Sequence, residues 1–255
     1  MWPGWAFLLL SVAQWAPWVL LALLPGGESA QLAAWGLGAL VFGVAAAWFC
    51  RVTLRPRRRG LGLGGDRSWH VRVLAGLTVG ALVYGTVFMT RAAVGALTLD
   101  GARGGLAAAA VLLAGIAVAG YQAVSEEIVF RGAFFGVLPR SVSPVAAVAL
   151  SVGVFVLYHL PKWESLLHGP YAIHLALAGT AFAVAYLRTG SLWWGIGLHW
   201  GWNLGAYVLL EAGQPLVRLT GPPASGWGEP GSWLAVAGNA VLLLVVLGWP
   251  TRRGR

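Results

Sequence analysis

Apolar residues fill eight long segments of the chain, and the stretches between them hold most of the charged residues. A helix needs about 20 predominantly apolar residues to cross the hydrocarbon core of a bilayer. The pattern therefore predicts an all-α fold, a polytopic bundle of about eight transmembrane helices, over residues 5–24, 31–50, 73–90, 106–138, 144–160, 172–187, 191–210 and 233–249.

The fourth apolar segment is longer than a bilayer requires. As one straight helix, residues 106–138 would extend roughly 50 Å, against a hydrocarbon thickness of about 30 Å. We therefore expect this helix to tilt, protrude or kink, with a kink placed near Gly115 or Gly120.

The composition excludes a soluble domain. Charged residues make up 10% of the chain and hydrophobic residues 58%, whereas a typical soluble domain has about 25% charged residues. The 37 glycines and 15 tryptophans also fit a membrane protein, because Gly is frequent in membrane helices and Trp favours the membrane–water interface. We expect a multi-pass integral membrane protein, located in the cell membrane if the chain is bacterial.

The basic residues predict the orientation. If the 51–72 loop is cytoplasmic, both termini are cytoplasmic too, and that side collects Arg51, Arg55, Arg57, Arg58, Arg59, Arg67, Arg72, Arg140, Arg188, Arg252, Arg253 and Arg255. The opposite side then holds Arg91, Arg103, Lys162 and Arg218. The positive-inside rule favours this orientation, and the 51–72 loop is predicted to contact anionic lipid headgroups. Because the basic residues flank apolar segments and form no soluble basic face, nucleic acid is not an expected partner.

A small set of polar residues lies inside the predicted spans, where an ionisable side chain is costly and indicates function by default: Glu126, Glu127, Arg131, His159, His199 and Asn203. Glu127 and Arg131 are four residues apart and can pair on one helix face. Glu126 lies about 100° further around that helix, so it is freer for chemistry. His174, just inside the sixth span, is expected to be structural or to face a loop, and not to be a metal ligand.

The depths of these residues point to one site. Measured from the predicted cytoplasmic ends of their spans, Glu126, His159 and His199 lie roughly 21, 22 and 16 Å deep at 1.5 Å per residue. Three helices would therefore bring polar side chains to the same layer of the membrane.

This set of side chains suits the activation of water. A carboxylate with a neutral imidazole can act as a general base, and a second imidazole with a carboxamide can donate hydrogen bonds to a developing oxyanion. A metal is the competing explanation, because Glu126, His159 and His199 would supply the three protein ligands usual at catalytic zinc. The residues alone leave open whether zinc or no cofactor takes part.

Three motifs carry a family resemblance: Glu126-Glu127-x-x-x-Arg131, Phe155-x-x-x-His159 and His199-x-x-x-Asn203. Their order on three separate spans resembles the CPBP intramembrane protease family, which includes the CAAX prenyl endopeptidases of the Rce1 type and the bacterial Abi proteins. The resemblance extends over about 85 residues, from Gly120 to Asn203.

The resemblance implies a role for each site residue. Glu126 and His159 would activate the hydrolytic water, and His199 and Asn203 would stabilise the oxyanion. Glu127 and Arg131 would support the site. The family has been described both as metalloproteases and as glutamate proteases, so the resemblance also leaves the metal open.

Together these observations predict an intramembrane endopeptidase that acts on a membrane-associated peptide or protein, with prenylated CAAX-type substrates as one possibility. Two alternatives remain: a non-catalytic binding or immunity protein with the same polar cavity, and a proton-relaying transporter, which the lack of paired repeats disfavours.

The expected regions are N-terminal spans with the basic loop (1–104), the catalytic-type helical core (105–211), and an external loop with the last span (212–255). The single cysteine, Cys50, excludes an intrachain disulfide.

Overall fold

A computed structural model describes residues 4–23, 28–54, 61–64, 67–138, 141–160, 169–211, 216–220 and 232–249. Its α-helices are α1 (Gly4–Ala13), α2 (Ala16–Leu23), α3 (Glu28–Phe49), α4 (Trp69–Ala93), α5 (Gly105–Glu127), α6 (Phe134–Val137), α7 (Pro144–Tyr158), α8 (Gly169–Thr189), α9 (Trp193–Ala206) and α10 (Ser232–Gly248). Three π-helical turns extend α3, α5 and α9, at Cys50–Leu54, Ile128–Ala133 and Tyr207–Glu211. Each of the eight apolar segments contains helix, as predicted.

The helices that are long and apolar enough to cross a membrane are fewer than the apolar segments. By length and composition there are four among the described residues: Ala33–Val52, Trp69–Ala93, Gly105–Val137 and Pro170–Thr189. Helices α1 and α2 make a fifth if the pair, bent by 44°, is one span. Helices α7 and α10 are apolar but shorter. The apolar helices make the chain an all-α integral membrane protein, and the number of eight spans stays a prediction.

A two-stranded ribbon is the exception to the all-helical pattern. Strand β1 (Thr98–Ala102) pairs with β2 (Val217–Thr220) in antiparallel fashion, with Thr98 opposite Thr220. The ribbon joins the α4–α5 connection to the α9–α10 connection. Strand β2 lies in the segment predicted as an external loop, Gly213–Ser232, of which 213–215 and 221–231 lie outside the described residues.

Much of the predicted charge pattern also falls outside the described residues: Arg55, Arg57, Arg58, Arg59, Arg140, Lys162, Arg252, Arg253 and Arg255. The cytoplasmic orientation of the termini and the lipid contact of the 51–72 loop therefore stay predictions.

The long fourth segment changes its winding at Ile128–Ala133, whereas a kink was predicted near Gly115 or Gly120. Both glycines lie in regular helix and leave room for the side chains of α9 and of the π turn that extends it. A Cβ at Gly115 would lie 3.0 Å from the Tyr207 ring, and a Cβ at Gly120 would lie 2.9 Å from the Trp200 indole. Within the π turn, the Phe130 carbonyl accepts a hydrogen bond of 3.0 Å from the buried Ser151 hydroxyl of α7. Such π turns are frequent at functional sites.

Capping residues fix the helices that follow. Ser143 begins α7 by accepting a hydrogen bond of 3.2 Å from the backbone N–H of Ala146, with Pro144 at the first helical position. Gly190, with φ of +64°, ends α8 in the left-handed conformation that glycine adopts readily. The chain then enters α9 within three residues.

Helices α4 and α9 are in backbone contact through glycines. Gly76 and Gly80 on α4 face Gly197 and Gly201 on α9, and a Cβ at any of the four would meet the backbone of the other helix. Small residues at this spacing let membrane helices approach closely. This contact holds α9, and with it the predicted site residues of that helix, against the rest of the bundle.

We expect Gly201→Ala to destabilise the protein by about 1–3 kcal/mol, the usual cost of overpacking, because the added methyl group would strike the Leu77 backbone. Gly153→Ala on α7 is the matched control, since a Cβ there has nothing within 4 Å and Ala is the better helix former. Thermal unfolding in detergent measures both variants. Equal melting temperatures would contradict the close helix contact.

Candidate active site

The predicted site residues come from three helices and from the π turn that extends one of them. Glu126 and Glu127 end α5, and Arg131 lies in the π turn that follows. His159 caps the C-terminus of α7, while His199 and Asn203 lie one helical turn apart on α9.

Glu127 is the centre of the buried network. Its Oε1 accepts a hydrogen bond of 3.0 Å from Arg131 Nη1 and lies 3.0 Å from His199 Nδ1. Glu127 is 1% exposed and Arg131 is fully buried. Because a carboxylate only accepts, the Nδ1 of His199 carries the hydrogen in this contact.

Arg131 is held from several sides. Its Nη2 donates a hydrogen bond of 3.0 Å to the carbonyl of Gly179 on α8. The guanidinium carbon lies 4.6 Å from the ring centre of Phe155 and 5.4 Å from that of Phe182. A Cβ at Gly179 would lie 3.3 Å from Arg131 Nη2, so glycine leaves room for the guanidinium there. The charge is therefore balanced by one carboxylate and surrounded by aromatic faces.

Glu126 is buried but much less engaged. It is 8% exposed, and its Oε2 lies 3.7 Å from His199 Nε2, which is too long for a hydrogen bond. Among the described residues, this oxygen has no hydrogen-bond partner. Glu127 Oε2 also has no partner in the described residues, but Glu127 Oε1 is held by Arg131 and His199, whereas Glu126 makes only the long contact with His199.

The buried charges of this cluster are unequal in number. Two carboxylates face one guanidinium, and buried charges are tolerated when they are paired. The Arg131 guanidinium is paired with Glu127 at 3.0 Å, so the Glu126 carboxylate is the one that this ion pair does not include.

Aromatic rings fix the two imidazoles. The His199 ring stacks on Phe182, with centroids 4.7 Å apart and an interplanar angle of 14°. His159 Nδ1 donates to the Phe155 carbonyl at 2.8 Å, so in the neutral imidazole the hydrogen is on Nδ1 and not on Nε2. Phe155 contacts both imidazoles, with ring centroids 4.9 Å from His159 and 6.4 Å from His199.

The structure brings four of the six predicted residues into one network, namely Glu126, Glu127, Arg131 and His199. His159 and Asn203 flank it: His159 is half-buried beside Phe155, and Asn203 is half-buried one turn beyond His199. His174, expected to be structural, is buried on α8, and its Nδ1 accepts a hydrogen bond of 2.6 Å from Asn239 Nδ2.

The candidate metal ligands do not form a ligand set in this arrangement. Within the described part of the chain, no three His, Cys, Asp or Glu side chains are grouped so that they could hold a metal ion. We therefore derive no chemistry through zinc at Glu126, His159 and His199.

Sequence reasoning missed the contact between Glu127 and His199 and the roles of Phe182 and Gly179. Phe182 stacks on His199, and Gly179 provides the carbonyl for Arg131. Phe182 and Gly179 lie in an apolar helix, and nothing in the sequence distinguishes them from residues that only pack against neighbouring helices. A role for Phe155 could have been predicted from the sequence, because Phe155 is part of the second motif.

The fold and the site define a helical integral membrane protein with a buried cluster suited to acid–base chemistry. Residues 107–205, which include all six site residues, match the family model described as type II CAAX prenyl endopeptidase, Rce1-like. This stretch of the chain is therefore similar to the Rce1-like peptide hydrolases, the resemblance that the motifs predicted. No curated protein and no solved structure matched the chain.

Proposed function

We propose that the protein is an intramembrane endopeptidase that hydrolyses a peptide bond of a membrane-associated substrate, with prenylated CAAX-type proteins as the leading substrate class. The observation that carries the proposal is the Glu126 carboxylate, which is buried, has a free Oε2 and lies 3.7 Å from His199 Nε2. Its position within the family match supports the same reading. The match does not favour the non-catalytic alternative.

In the proposed reaction, Glu126 removes a proton from a water molecule, and the resulting hydroxide attacks the scissile carbonyl carbon. His159 assists as a proton acceptor through Nε2, because its Nδ1 donates a hydrogen bond to the Phe155 carbonyl. The carbonyl oxygen becomes an oxyanion, which accepts hydrogen bonds from His199 Nε2–H and the Asn203 carboxamide. When the C–N bond breaks, the proton held by Glu126 passes to the leaving amine.

Glu127 and Arg131 support this chemistry without touching the substrate. Glu127 holds the hydrogen of His199 on Nδ1 and fixes the direction of the ring, as a carboxylate does in other catalytic sites. The oxyanion step needs a hydrogen on His199 Nε2 as well, which only the imidazolium carries when Nδ1 is already a donor. The proposed active state therefore has Glu126 ionised and His199 as an imidazolium.

The proposal includes the membrane arrangement predicted from the sequence. The eight helical segments form a multi-pass bundle with both termini in the cytoplasm, divided at residues 104 and 211 into the three predicted regions. The 51–72 loop contacts anionic headgroups, and the host membrane is the cell membrane if the chain is bacterial.

The test is cleavage of a quenched fluorescent farnesylated CAAX peptide by the purified protein, with a matched peptide that lacks the farnesyl group. We expect cleavage of the farnesylated peptide with less than a twofold change after treatment with a zinc chelator, because no three candidate ligands are grouped in the described residues. Loss of activity on chelation, restored by added zinc, would contradict the metal-free reaction. Absence of cleavage by a well-folded protein would contradict the substrate class.

A further inference from the structure

The first apolar segment is interrupted beside the candidate active site. Helices α1 and α2 meet at 44°, with a turn at Gln14 and Trp15. Pro17 lacks a backbone N–H and cannot continue the hydrogen bonds of α1. At membrane depth, such a break is tolerated where it is buried in protein or lines a polar cavity, since its freed backbone groups need partners.

The break contacts a pair of tyrosines on the helices of the site. The Tyr121 hydroxyl of α5 donates a hydrogen bond of 2.9 Å to the Gln14 carbonyl. The Trp15 ring packs on Tyr158 of α7, with centroids 4.9 Å apart. These contacts tie the turn to both of the helices that end in the catalytic motifs.

The same tyrosines adjoin the reactive groups. The ring centre of Tyr158 is 5.6 Å from that of His159, and Tyr121 precedes Glu126 by five residues on α5. One side chain, that of Tyr158, therefore lies between Trp15 of the turn and the candidate site residue His159.

The Gln14 side chain is unusual for its place. It is 3% exposed, and within the described part of the chain its Oε1 has no hydrogen-bond partner. A buried polar group without a partner costs free energy. Ser11, three residues earlier on α1, has a partner, because its hydroxyl donates a hydrogen bond of 2.9 Å to the Phe7 carbonyl.

We propose that Gln14 is a substrate-binding residue, whose carboxamide oxygen accepts a hydrogen bond from the backbone of the peptide held at Glu126. This inference rests on the proposed endopeptidase function. A peptide bond can be attacked only where the substrate chain is unwound, and an unwound chain carries backbone N–H groups that hydrocarbon cannot satisfy. Gln14 supplies an acceptor that has no partner in the described residues, in a turn that contacts Tyr121 and Tyr158 beside the site, on a segment outside the 107–205 family match.

The decisive variant is Gln14→Leu, which keeps the size of the side chain and removes its polar atoms. The probe is a fluorescent farnesylated peptide ending in Cys-Val-Ile-Met, and its binding is measured in the Glu126→Gln background, which does not consume it. We expect the Kd to rise about tenfold, the usual loss for one hydrogen bond of about 1.4 kcal/mol. In the wild-type background, KM should rise by a similar factor and kcat by much less.

Thermal stability separates substrate binding from a structural role. Because the lost oxygen has no partner in the folded protein, the melting temperature of Gln14→Leu should equal or exceed that of the wild type. Ser11→Ala is the matched control, with unchanged Kd and KM. Gln14→Leu that binds the peptide like Ser11→Ala, or that melts lower with unchanged Kd, would overturn the inference.

The two proposals fail in different ways. If peptide binds but neither the wild type nor any variant cleaves it, the endopeptidase proposal is wrong, while the Kd of Gln14→Leu still tests the contact. If the wild type cleaves and Gln14→Leu has wild-type KM and Kd, the Gln14 inference alone is wrong.

Discussion

Glu126→Gln is expected to lower kcat for peptide cleavage by about three orders of magnitude, within the range of about 10²–10⁴ for loss of a general base. The amide keeps the shape of the side chain but cannot take a proton from water. KM should change little, because the Gln side chain fills the same space. The measurement is steady-state cleavage of the farnesylated peptide.

The fold of Glu126→Gln should be intact, and this follows from the local contacts. The Glu126 oxygen near His199 has no hydrogen-bond partner among the described residues, so the substitution breaks no bond and removes a buried charge. The melting temperature should stay the same or rise. A kcat within tenfold of the wild type would contradict the assignment of Glu126 as the base.

Glu127→Gln is the matched control, because it makes the same chemical change at the next residue. Here the lost charge is the partner of Arg131 and His199. We expect a lower melting temperature together with reduced activity. The two substitutions should thus have different effects: Glu126→Gln should lower the activity alone, and Glu127→Gln should lower both the activity and the stability of the fold.

The helical segments and the composition of the site could be predicted from the sequence because both depend on local features. A run of apolar residues long enough to cross a bilayer is visible in the chain. A spacing of four residues places Glu127 and Arg131 on one helix face without any knowledge of neighbouring helices. The same reasoning separated Glu126 from its neighbour.

The contacts between distant helices could not be predicted in this way. Which glutamate meets His199 depends on the rotation and depth of α9, and these are set by its glycine contact with α4. The π turn and the ribbon of β1 and β2 could not be predicted from the sequence either. The ribbon needs two connections more than 100 residues apart in sequence to meet, and the π turn has no composition that distinguishes it from regular helix.

Arg131→Met is expected to destabilise the protein by about 3–5 kcal/mol, the usual cost of removing one partner of a buried ion pair. Met approximates the length of the arginine stem and leaves the Glu127 carboxylate without its guanidinium. The Gly179 carbonyl also loses its donor, and the faces of Phe155 and Phe182 lose the cation. Thermal or chemical unfolding in detergent measures the change.

The double variant Glu127→Gln/Arg131→Met tests whether this loss comes from the orphaned charge. With both charges removed, the site holds neutral groups of similar volume, and replacing a whole buried pair is often nearly neutral. We therefore expect the double variant to be more stable than Arg131→Met by about 2 kcal/mol or more, within the range of coupling seen for contacting residues. Additive losses would mean that Arg131 stabilises the fold through its aromatic neighbours, and that Glu127 is held in place chiefly by His199.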